Sequence, residues 1–181
     1  MEMGFKGIAR LTMMMLAIAL AGTAWARIAR AQDKPDFLSP NEANQVRDEQ
    51  DPAERAKLFL IFAGDRLKKL QYELQLKTPQ MHRQELLNGL LSDYSSCIDE
   101  AADRLRNEQQ KGTNLRKVIT AFQKDLKEDL DALKKTEAAG GPELDSFKDN
   151  LDDAIESTQD ALNDANKAAK EYGSVPVRRK Q

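Results

Sequence analysis

Apolar residues recur every three or four positions along four long segments of this chain, and nowhere do they alternate strictly with polar ones. That spacing gathers side chains on one stripe of a helix and leaves no pattern for a strand, so an all-α fold is expected. The first stripe runs through Ala56, Phe59, Leu60, Ala63, Leu67, Leu70 and Leu74, the second through Leu87, Leu91, Tyr94, Ile98, Ala101 and Leu105. Leu115, Ile119, Phe122, Leu126, Leu130 and Leu133 form the third. A fourth carries Leu144, Phe147, Leu151, Ile155, Thr158, Leu162, Ala165, Ala169 and Tyr172.

Proline and glycine punctuate the same stretch. Asp51-Pro52, Thr78-Pro79 and Gly141-Pro142 each place a first-turn proline after a helix start, while Gly112, Gly140-Gly141 and Gly173 suit helix ends. Helices are thereby expected at 52–77, 79–111, 113–139 and 142–172, within a domain spanning 51–173. With such short links, successive helices pack antiparallel, as an up-down four-helix bundle or an extended helical hairpin array with coiled-coil-like seams. Folding about residue 78 would bring Gly64 level with Gly89. Folding about Gly140 and Gly141 would set Leu126 opposite Ile155 and Leu133 opposite Phe147.

Charge suggests an order for the helices. The first has six basic residues against three acidic, and the fourth nine acidic against three basic, which favours placing them side by side.

The two ends of the chain differ from its middle. Lys6 and Arg10 precede an uncharged run, LTMMMLAIALAGTAWA, followed by Ala24-Trp25-Ala26 and Ala29-Arg30-Ala31. This is the layout of a secretory signal peptide over residues 1–31, cleaved after Ala31 or Ala26. Only 16 residues separate Arg10 from Arg27, short for a membrane-spanning helix, so no stable membrane insertion is expected after cleavage. Residues 32–50 are polar, with Pro35 and Pro40, and read as a flexible arm; 174–181, ending Arg178-Arg179-Lys180, reads as a disordered basic tail.

Composition narrows the chemistry. The formal charge is -2, with no basic excess to suit nucleic acid, and the chain holds one Cys and one His. No cofactor motif or metal-ligating set emerges, and His82 reads as a surface side chain. Ser92, Ser95 and Ser96 lack a base nearby in sequence, and no G-x-S-x-G occurs. An enzyme is therefore not expected. Cys97 reads as a small buried hydrophobe or as a thiol pairing two chains. The most distinctive polar feature is a carboxylate row on the fourth helix, Asp149, Asp153, Glu156, Asp160 and Asp164, at steps of three and four. Three readings stay open for it: packing beside the basic first helix, a solvated face, and a docking site for a cationic partner. Leu58, Ile61 and Phe62 widen the first stripe, so that it can face a second copy or the other helices.

The segment QDKPDFLSPNEANQVRDEQDPAERAKLFLIFAGDRL, with the leader before it, resembles secreted bacterial helical-bundle proteins to which no activity is attached. The resemblance implies a periplasmic or exported location and a helical bundle, and it carries no site residue over. The functional expectation is a non-enzymatic interaction or scaffold module of the bacterial envelope, with an unspecified protein partner. Two alternatives accompany it: a protein binding a cation or small ligand through the acidic face, and a membrane-tethered coiled coil with an uncleaved leader.

Overall fold

The computed structural model describes residues 37–78 and 81–174, and among them every regular element is helical. The elements are α1 (Pro40–Asp48), α2 (Pro52–Gln75), α3 (Arg83–Gln110), α4 (Arg116–Ala139), a short 3-10 turn (Leu144–Ser146) and α5 (Lys148–Ser174). The all-α expectation holds. The expected leader, residues 1–31, and residues 175–181 of the expected basic tail lie outside the described residues.

The arm is the first departure from expectation, since Pro40–Asp48 is a helix rather than extended chain. Ser39-Pro40-Asn41-Glu42 is a capping box: the Glu42 amide donates to Ser39 Oγ at 3.3 Å and the Ser39 amide to Glu42 Oε2 at 2.7 Å. Phe37, Leu38 and Val46 pack against the core. At the next start, Asp51 Oδ1 accepts from the amides of Ala53 and Glu54, and Pro52 occupies the first turn as expected.

Turns differ in detail. α2 leaves helical geometry at Leu76, before it reaches Thr78, the residue that the following proline disfavours from the helical region. α3 begins only at Arg83, behind His82 in the left-handed conformation (φ 61°). Gly112, at φ 76°, turns the chain between α3 and α4. After Gly140 and Gly141 the chain passes through the 3-10 turn before α5 starts, because α3 claims that turn: Asn88 and Gln84 both donate to the Ser146 carbonyl, at 2.9 and 3.3 Å. Gly173 does not end α5, which runs to Ser174.

Cross-links show which helices are neighbours. Arg104 stacks over Phe59, 4.9 Å from the ring centroid, so the α2–α3 hairpin is antiparallel and centred near Met81 rather than Thr78. Glu137 meets Lys148 and Gln123 meets Asn166, which centres the α4–α5 hairpin near Glu143 and Leu144. Both registers are displaced from those expected, since the turns take up more chain than the glycines and prolines announce. Gly64 and Gly89 do not clasp, as a Cβ on either would meet nothing within 4 Å.

Between the hairpins the direction changes. Gln84 bonds to Ser146, Asn150 to Asn88 and Gln109 to Glu171, each across 62 residues, so α3 and α5 run parallel and in step. α2 packs on α3 and α4, and α5 packs on the same two, leaving α2 and α5 at opposite corners. The basic α2 and acidic α5 are therefore not the neighbours that their charges suggested.

The core takes in the first three stripes nearly whole, and Leu74 alone among them is only half-buried. The buried seam of α5 is Phe147, just before the helix, then Leu151, Ala154, Thr158, Ala161, Ala165 and Ala168, at coiled-coil spacing. Ile155, Leu162 and Ala169 fall to its side, half-buried. Small alanines at the seam let α5 approach two helices at once, whereas the larger residues fill its flanks.

Candidate functional site

All five carboxylates singled out on α5 are exposed. Asp164 is spoken for, accepting from Arg106 Nη2 of α3 at 2.7 Å, while Arg106 also bonds Asp103. Because α3 and α5 run in step, Ser95 and Asp99 come alongside Asp153, Glu156, Ser157 and Asp160 to line one shallow groove. No basic side chain lines it. Among the described residues no group of three or more His, Cys, Asp or Glu converges to hold a metal ion, so this groove presents spread negative charge. Asp99 was not legible beforehand, since only the parallel register brings it beside α5.

Cys97 lies at the other extreme. Its side chain is wholly buried, and burial, with the Glu42 and Asp93 carboxylates, pushes the thiol up to about 12 despite the Arg66 cation nearby. The thiol is thus packed as a small buried hydrophobe and is not presented at the surface of the chain.

Close to it is an ion pair that was not anticipated. Arg66 of α2 pairs with both carboxylate oxygens of Glu42 on α1, and also donates to the carbonyls of Phe37 (2.8 Å) and Phe62 (3.1 Å). The Arg66 hydrogen bond holds Glu42 down at about 2, against an opposing contribution from burial. One guanidinium thus fastens the N-terminal segment to the bundle. The visible signal was the Ser39–Glu42 box, which marks a helix start, although nothing local points from it to Arg66.

A polar chain crosses the core. Tyr94 of α3 lies 2.8 Å from Thr158 Oγ1 of α5 and 3.5 Å from Asp129 Oδ2 of α4, and Thr158 donates to the Ala154 carbonyl at 2.6 Å. Burial pushes Asp129 up to about 6, helped by the Asp125 charge. His82, by contrast, is exposed, with Nδ1 2.9 Å from Glu85. Of the residues widening the α2 stripe, Phe62 is buried, Leu58 half-buried, and Ile61 is 55% exposed.

A larger opening than the acidic groove lies at the end of the bundle where α2 and α4 finish. It measures about 670 Å³ and is walled by Leu74, Ala132, Leu144 and Phe147, with Lys77, Lys135, Arg83 and Glu143 among its polar groups. Arg83 is 9% exposed, and it donates to the Leu76 carbonyl and pairs with Glu143 at 3.1 Å. No described helix is long and apolar enough to cross a membrane.

The fold and these surfaces define an all-α helical bundle. Comparison with known proteins finds no matching family model, curated protein or solved structure.

Proposed function

We propose that the chain is a non-enzymatic interaction module, exported by its leader to the bacterial periplasm or exterior, and that its partner is a cationic protein segment. The observation that carries this reading is the α3–α5 groove, whose lining holds Asp153, Glu156 and Asp160 of α5 beside two serines. Carboxylates at helical spacing repel by ~0.2–0.5 kcal/mol per pair, a cost that a Lys- or Arg-rich segment relieves. The absence of a converging ligand set among the described residues favours an extended cation over a single metal ion. The thiol, imidazole and buried phenol support the same reading, since each sits in a structural or solvated role.

Calorimetric titration with a lysine-rich peptide tests it. Saturable binding is expected, weakening with added salt and at least about tenfold weaker in an Asp153→Asn, Glu156→Gln, Asp160→Asn variant. Binding that survives those changes, or no binding at low salt, sinks the proposal. Spermidine in place of the peptide distinguishes a small polyamine from a protein segment.

A further inference from the structure

The end cleft has the opposite character to the acidic groove, and its chemistry goes beyond the proposed function. We propose that it binds a small amphipathic anion, a carboxylate carried on an apolar body. Its opening of about 670 Å³ falls in the range of ligand sites. The C-terminal turns of α2 and α4 form two sides, and the chain from Gly140 to Phe147 forms the third.

Part of the lining is apolar. Phe147, 3% exposed, and the half-buried Leu74, Leu144 and Ala132 line it beside the neutral polar Gln71, Gln75 and Thr136. An alkyl or aryl body seated there would remove these walls from water.

Charge selects the head group. Four ionisable residues line the cleft: Lys77, Arg83, Lys135 and Glu143. Arg83 and Glu143 neutralise one another across 3.1 Å and tie the wall together. Lys77 and Lys135 remain, both exposed at the rim and neither in an ion pair among the described residues. A cation entering this opening meets two like charges, and a neutral apolar molecule leaves both ammonium groups uncompensated. An anion with an apolar tail satisfies apolar lining and rim together, and two flexible lysines suit a carboxylate that stays partly hydrated.

The test uses the full chain and three probes: decanoate, decyltrimethylammonium with a like tail and opposite charge, and acetate, which is a head without a tail. Calorimetry should show one saturable decanoate site per chain, no saturable acetate binding, and roughly tenfold weaker binding of the cationic amphiphile. A Lys77→Gln, Lys135→Gln double variant should bind decanoate roughly tenfold more weakly. Ala132→Trp, which fills the cleft, should abolish it. Both lysines are exposed, so the double variant reports on the site even if the Trp variant misfolds, and far-UV circular dichroism checks the helicity of each. No saturable decanoate binding, equal binding of the cationic amphiphile, or unchanged affinity in the lysine variant would each overturn the proposal.

Discussion

Asp129 places a carboxyl beside the phenol of Tyr94, where a single phenolic proton faces two acceptors. Thr158 Oγ1 is the nearer, so an ionised Asp129 is left with a long contact, whereas a protonated one donates to the Tyr94 oxygen and completes the chain. The Tyr94 hydrogen bond and Lys68 of α2 offset the burial only in part, and Asp125 and Glu128, on α4 with Asp129 itself, oppose ionisation further. The folded carboxyl, at about 6, binds its proton more tightly than the ordinary 3.8, so between those values the folded state holds more protons than the unfolded one. This group's contribution to stability is therefore greatest below that window and is lost as pH rises through it. Denaturant unfolding across the window should show Asp129→Asn removing a decline of about 1–2 kcal/mol, and an unchanged profile would remove Asp129 as its source. Tyr94 was legible as a core residue from its stripe. Its partners were not, because Asp129 and Thr158 come from helices that only packing brings near.

α1 shows the same division at the scale of an element. Its start is written in Ser39-Pro40-Asn41-Glu42, yet nine residues with a polar face are too short to stand as a helix in water unaided. Arg66 and the packing of Phe37 on Phe59, 6.3 Å between ring centroids, supply what is missing. Glu42→Gln should cost about 1–3 kcal/mol, since it leaves the guanidinium without its counter-charge. Amide hydrogen exchange should accelerate across α1 while the α2 core stays protected; equal protection would show that the ion pair does not hold the element. The pH sign is opposite to that of Asp129. Glu42 is depressed to about 2 from 4.5, so its stabilisation is full above 4.5 and is lost as pH falls towards 2.

For the molecule as a whole, two antiparallel hairpins meet with α3 and α5 parallel, and Cys97 of α3 is buried near the Arg66–Glu42 pair. An aromatic disulfide reagent should therefore leave the native thiol unmodified and titrate one thiol per chain in denaturant, at a rate that follows unfolding. Rapid native labelling would contradict the burial. The four long helices and the core stripes of the first three were readable from the chain alone, because helical periodicity is a property of neighbouring residues. Asp51-Pro52 likewise marked its start correctly, since a cap acts on the amides two and three positions on. Which helices touch is of another kind: α2 and α5 stand at opposite corners despite opposite charge, because exposed charge pairs are worth at most about 1 kcal/mol against the burial of whole stripes. The alanine seam of α5, the joining of Asp99 to its carboxylates and the cleft between Lys77 and Lys135 all depend on contacts across some sixty residues. Such contacts are decided by how helices pack in three dimensions, which no local spacing records.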